Sequence, residues 1–91
     1  MDRIRLLEQL NKDYPKYDSG HDYSILLEKC FNYLRENGSY DFHLEQILDK
    51  LYLYVAIYNN KGEFINYRLW GTYNTVREVL HILRNIIRFE T

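Results

Sequence analysis

A chain of 91 residues has room for one hydrophobic core, and its 46% hydrophobic and 27% charged residues are the balance of a folded domain, not of a disordered one. A net charge of −1 lacks the clustered Lys and Arg of a nucleic-acid binder, and no run approaches the ~18 apolar residues of a membrane span. Residues 1–66 carry 8 Lys/Arg against 11 Asp/Glu and residues 67–91 carry 4 against 2, so the C-terminal end is the basic one.

Asp2 can cap a first helix of about twelve residues, with Ile4, Leu7, Leu10 and Tyr14 on one face and Pro15 as its stop. Met1-Asp2-Arg3 enters this pattern with no apolar signal stretch, which points to a cytoplasmic protein. Residues 16–22 are turn-rich. Asp22 or Ser24 can then cap a second helix on which Tyr23, Leu27, Cys30 and Leu34 share a face, and Asn37-Gly38 stops it. The lone Cys30 excludes an internal disulfide, agrees with a reducing compartment, and reads as a buried small hydrophobe, not a nucleophile.

Ser39 or Asp41 opens a third segment in which Leu44, Leu48, Leu51, Val55 and Tyr58 recur at helical spacing until Asn59-Asn60-Lys61-Gly62 breaks it. The same stretch carries a second pattern. Leu51, Leu53, Val55 and Ile57 alternate with Tyr52, Tyr54, Ala56 and Tyr58, and Phe64 to Leu69 follow a Gly-containing turn, the signature of a β-hairpin. The helical reading is preferred because the hairpin requires a chain break near Lys50 that no turn residue marks. In the last segment Leu69, Tyr73, Val76, Leu80, Leu83 and Ile87, flanked by Val79 and Ile86, describe a long amphipathic helix that tolerates Gly71 at roughly 1 kcal/mol. Four helices with short connections predict an all-α antiparallel four-helix bundle over residues 1–91, with an α+β fold containing a hairpin at about 51–69 as the alternative.

Residue types that carry chemistry are present but not in working arrangements. His21, His43 and His81 fall in different segments at no metal-ligand spacing, and His43-Leu44-Glu45 has the H-x-E of zinc deaminases without their downstream Cys pair. Ser19, His21 and Asp22 are neighbours in a polar turn with no G-x-S-x-G, and the four glycines form no phosphate cradle. The expectation is no catalytic group, no metal and no cofactor. Two features suit partner binding instead. Arg77, His81, Arg84 and Arg88 share a helical face, which serves either as a solvated surface or as a dock for an acidic protein or an anionic membrane. Trp70 is either core or a binding hot spot. The ten tyrosines join apolar rings to polar tips and suit a core edge and an interface alike; Tyr52, Tyr54 and Tyr58 could form a partly exposed aromatic patch.

Leu26-Leu27-Glu28-Lys29 to Leu34, and Ile47-Leu48-Asp49-Lys50-Leu51-Tyr52-Leu53-Tyr54-Val55-Ala56-Ile57-Tyr58, are similar to the second and third helices of the pediocin-like (class IIa) bacteriocin immunity proteins. Ala56-Ile57-Tyr58-Asn59-Asn60-Lys61-Gly62 resembles the turn that leads into the fourth helix of that family. The resemblance implies a cytosolic four-helix bundle that engages a bacteriocin-occupied membrane receptor and has no substrate. A different small inhibitor, such as a toxin immunity protein, an antitoxin or a phage-encoded inhibitor, fits the same features.

Overall fold

The computed structural model describes residues 2–13, 24–37 and 40–89. The elements run α1 (Arg3–Asp13), α2 (Ser24–Asn37), β1 (Phe42–Ile47), β2 (Lys50–Tyr58), β3 (Phe64–Tyr73) and α3 (Val76–Phe89). This is an α+β fold, and it overturns the four-helix bundle. The three strands form an antiparallel meander in the order β1-β2-β3. The turn at 16–22, with Ser19, His21 and Asp22, lies outside the described residues, as do Tyr14, Pro15 and Tyr23.

Residues 42–58 form strands because their alternation separates two faces cleanly. Phe42 and Leu44 in β1 align with Val55 and Leu53 in β2, placing apolar side chains on the face toward the helices. His43, Glu45, Tyr52 and Tyr54 occupy the opposite face in the same register. The break that the helical reading found unmarked is real. Leu48 and Asp49 alone connect β1 to β2 below the Ile47↔Lys50 pair, and Leu48 takes a left-handed backbone with φ 56° while its side chain is 91% exposed. A leucine there carries neither the Gly nor the Asn that usually announces such a turn.

The second hairpin is built from side-chain chemistry. Asn59 accepts backbone hydrogen bonds at its Oδ1 from Lys61 (2.9 Å) and Glu63 (3.0 Å), and its own N–H donates to the Glu63 carbonyl at 2.9 Å. Gly62, at φ 79°, supplies the left-handed residue that closes the three-residue loop. The strand that follows runs through Gly71 to Tyr73, so the long fourth helix expected from Leu69 starts only at Val76. A cap sets that start: the Glu78 N–H donates to Thr75 Oγ1 at 3.2 Å, and the Asn74 N–H donates to Glu78 Oε2 at 2.8 Å. Leu69 and Tyr73 are spaced like helical neighbours, but a β-bulge at Trp70 turns them toward opposite faces of β3.

Helix α3 is the centre of the packing. Val79, Leu80, Leu83, Ile86 and Ile87 are buried, and α3 meets α1, α2 and β3 while α2 also covers β1. From α1, Leu6 and Leu10 are buried and Leu7 packs partly buried against the core, so of the expected Ile4-Leu7-Leu10 face only Ile4, 67% exposed, turns away. The Asp2 cap is present, its Oδ1 accepting from the Arg5 N–H at 2.8 Å. On α2, Leu26, Cys30, Tyr33 and Leu34 are buried, and Leu27 is partly so. Arg3 Nε donates to the Ile87 carbonyl at 3.0 Å, and the same guanidinium reaches the Arg88 carbonyl. The start of α1 therefore closes the C-terminal end of α3, where carbonyls have no partner within the helix and a cation is favoured.

The Leu48 turn yields a stability prediction. A left-handed leucine costs about 1–2 kcal/mol, and its exposed side chain returns almost nothing. Leu48→Asn is expected to stabilise the protein by about 1 kcal/mol, raising the melting temperature by roughly 4–8 °C in a calorimetric or circular-dichroism melt. An unchanged or lower melting temperature contradicts a strained turn.

Candidate functional site

Among the described residues, helices cover one face of the sheet only. Its other face carries a run of rings in edge-to-face, tilted or stacked contact. Tyr52 stacks near Tyr54 with centroids 6.5 Å apart, Tyr54 meets Tyr67 at 6.3 Å, Tyr67 meets Phe64 at 5.0 Å, and Phe64 meets Tyr58 at 6.1 Å. His43 adds its ring to Tyr67 at 5.2 Å. These contacts follow from register: Tyr54 pairs with both His43 and Leu69, and Ala56 pairs with Tyr67, so three strands bring their outward positions side by side. Phe64, Tyr67 and Leu69 remain about half exposed, and Tyr52 and Tyr54 are partly buried by their neighbours.

Asp41 anchors one side of this surface. Its carboxylate accepts a hydrogen bond from the Tyr58 hydroxyl at 2.6 Å and lies 3.2 Å from His43 Nε2 and 3.5 Å from Arg35 Nε. The Asp41 carbonyl accepts the Ala56 N–H at 2.9 Å and extends the β1–β2 ladder by one bond. The bond to Asp41 pushes the Tyr58 phenol above its ordinary value of 10.0, because a neighbouring carboxylate opposes phenolate formation. Beside this group a depression of about 280 Å³ is lined by His43, Leu44, Glu45, Tyr54 and Tyr67. Its charged side chain is an acid; Arg68 pairs with Val55 and so belongs to the helix-facing side, while Lys50, two residues before Tyr52, lies at the end of the ring face.

The residues singled out for partner binding are scattered by this fold. Trp70, at the bulge of β3, is 39% exposed and packs edge-on against Phe42 at 5.2 Å and Tyr40 at 5.8 Å, on the side away from the ring run. It is thus neither buried in the core nor fully exposed. Arg77, His81, Arg84 and Arg88 do follow one another along α3, but Arg84 Nε donates to Asn11 Oδ1 of α1 at 2.9 Å and helps hold two helices together. Arg77 and Arg84 are half-buried, His81 is exposed with Nε2 3.4 Å from Asn85 Nδ2, and the Arg88 guanidinium lies 5.0 Å from the Phe89 ring centroid. Tyr52, Tyr54 and Tyr58 do share an exposed face. Phe64 and Tyr67, which complete it, were hidden by the helical reading of the chain around them. Their signal was the Gly62 turn, which folds β3 back beside those tyrosines.

Cys30 is fully buried, and burial pushes its thiol up to about 12, the behaviour of a core residue. Among the described residues no three His, Cys, Asp or Glu side chains come together in a group able to hold a metal ion. No described helix is long and apolar enough to cross a membrane. Comparison with known protein families, with characterised proteins and with solved structures gives no match.

The Asp41–Tyr58 bond gives a pH signature. The bond holds while the phenol keeps its proton: its contribution is complete below the ordinary tyrosine value of 10.0 and disappears as pH rises through the raised folded value. Asp41→Ala should return Tyr58 toward ordinary tyrosine titration, read from the phenolate absorbance or the ring NMR shifts. A titration identical in both proteins would show that the carboxylate does not hold the phenol.

Proposed function

We propose that this protein is a small non-catalytic inhibitor or immunity-type binder, acting in a reducing cytoplasm, that captures a protein partner on the outer face of its sheet. The observation that carries this reading is the unbroken run of rings from Tyr52 through Tyr54, Tyr67 and Phe64 to Tyr58, left half open to solvent on a rigid sheet. Tyr-rich surfaces supply large contact area at low conformational cost and are typical of protein interfaces. Sheet faces that bind single-stranded nucleic acid combine stacked rings with several cations along the phosphate path, and here Asp41 and Glu45 outnumber Lys50 on the ring face. A partner presenting apolar residues around an Arg or Lys fits this face best, with the cation over the Tyr54 and Tyr67 rings and near Glu45.

The class IIa resemblance does not carry the proposal. It rested on residues 47–58 as a helix of a four-helix bundle, and these residues are the edge of one strand, a turn and the whole of another. The broader inhibitor reading needs only a stable small domain with a recognition face. The basic stripe of α3, docking an acidic protein or an anionic membrane surface, is the rival site, with Arg88 its most exposed guanidinium.

Affinity capture from the source cells with three forms of the protein separates the two sites. Tyr52→Ser/Tyr54→Ser removes two rings from the outer face, and Arg77→Ala/Arg84→Ala/Arg88→Ala removes the stripe. Loss of a hot-spot pair costs at least about 2 kcal/mol, so the ring variant should bind the captured partner at least about 30-fold more weakly while keeping the parent circular-dichroism spectrum. The stripe variant should bind like the parent. A ring variant of full affinity beside a stripe variant that has lost it moves the site to α3.

A further inference from the structure

Among the described residues strand β3 is an open edge of the sheet, and its composition lacks the usual means of keeping an edge unpaired. Its ten residues, Phe64–Tyr73, contain no Pro, no Lys and no acid, and Arg68 is the one charge. The other edge, β1, is shorter at six residues, carries Glu45, and is covered on its inner side by α2. Phe64, Tyr67 and Leu69 on the outer face are exposed at 49–52%, Trp70 on the helix-facing side at 39%, and Ile65, at a bulge, at 55%. Together they leave roughly 500 Å² of ring and alkyl surface open along the two flanks of this one strand in each chain.

We propose that β3 is a self-association edge: two copies pair their β3 strands antiparallel about a two-fold axis at Tyr67 and join two three-stranded sheets into one of six strands. A two-fold contact pairs the free backbone edges and covers the edge-side flanks of these residues in both chains, an interface of at most about 1,000 Å², at the lower limit for a specific contact. The register follows from the bulges. Extra residues at Ile65 and Trp70 interrupt the pairing of β3 with β2, which leaves Asn66 to Leu69 regular. A two-fold axis perpendicular to a sheet keeps each residue on its own face, so it must pass midway between one residue and its own copy, and only Tyr67 and Arg68 have regular neighbours on both sides. An axis at Arg68 would set two guanidiniums directly opposite each other, which is repulsive. An axis at Tyr67 sets Tyr67 against its copy, Arg68 against Asn66, and Ile65 against Leu69, with no like charges opposed. The ring faces of the two chains then lie side by side. This inference does not depend on the binding role proposed above, since it concerns the edge of the sheet and not its face.

Cysteine cross-linking of the full chain tests both the contact and its register. Opposed residues of antiparallel strands have Cα atoms about 4.5–5.5 Å apart, within reach of a disulfide, so Tyr67→Cys should form a covalent dimer under mild oxidation. Arg68→Cys places its two thiols two residues out of step, roughly 8 Å apart between Cα atoms, and should cross-link far more slowly. The buried Cys30 does not compete. The unsubstituted chain, measured by sedimentation equilibrium at high micromolar concentration, should show twice its 11.2 kDa mass. A native chain that stays monomeric overturns the proposal and leaves the edge to a strand of another protein. A native dimer in which Tyr67→Cys cross-links no faster than Arg68→Cys also overturns it, because association then runs through another surface or register. The Tyr52/Tyr54 variant should still dimerise, so failure of the dimer and failure of the ring-face reading are read separately.

Discussion

The rest of the structure depends on the apolar side of α3. Val79, Leu80, Leu83, Ile86 and Ile87 point into one cluster that receives Leu6 and Leu10 from α1, Leu26, Cys30, Tyr33 and Leu34 from α2, and Phe42, Leu51, Leu53 and Val55 from the sheet. A three-stranded sheet with one unburied face is marginal by itself, and a helix as short as α1 is not stable alone in water. Both acquire stability by burying apolar side chains against the same helix, at roughly 1.5–3 kcal/mol for each large residue removed from water. The polar contacts at the ends of α3 then set orientation: Thr75 and Glu78 fix where the helix leaves the sheet, and Arg3 closes its far end.

Because the helices occupy a single side, the sheet divides its tyrosines and leucines by parity. In β2 leucine and valine face the helices and tyrosine faces the open side, where its hydroxyl remains solvated or finds a partner such as Asp41, while across the β3 bulge Leu69 faces out and Tyr73 faces in. The ring surface is a direct product of this division. Pairing across strands holds the rings at 5.0–6.5 Å centroid spacing, so a partner meets a preformed surface and little side-chain freedom is lost on binding. Among the described residues β3 has a strand neighbour on one side only, and its aromatic and aliphatic residues stay exposed beside that free edge.

Helical spacing and strand alternation coexist in residues 44–58, and the choice between them turned on Leu48-Asp49. Leu44, Leu51 and Val55 satisfy a four-three repeat by coincidence of a two-residue turn, which shifts phase enough to keep all three on one side of a hairpin. Leu48, the fourth member of that repeat, is in the turn and almost fully exposed. A Gly or Asn at that position would have announced the hairpin. The bulge at Trp70 produced the matching error in the last segment by letting the strand residues Leu69 and Tyr73 imitate two positions of the helix that begins after them.

Local chemistry was legible in the residues themselves: the Asp2 cap, the core face of α3, the Gly62 turn, the burial of Cys30 and the exposed patch of Tyr52, Tyr54 and Tyr58. These depend on contacts within a few residues, or on one strongly apolar stripe, so the amino-acid order suffices to determine them. Which residues join that patch from β3, that Arg84 is engaged by Asn11, and that Trp70 lies opposite the other rings were decided only by tertiary structure. Each rests on register between segments distant in the chain, and register is set by a strained leucine turn and by bulges whose stability comes from the packing around them, not from the residues they contain.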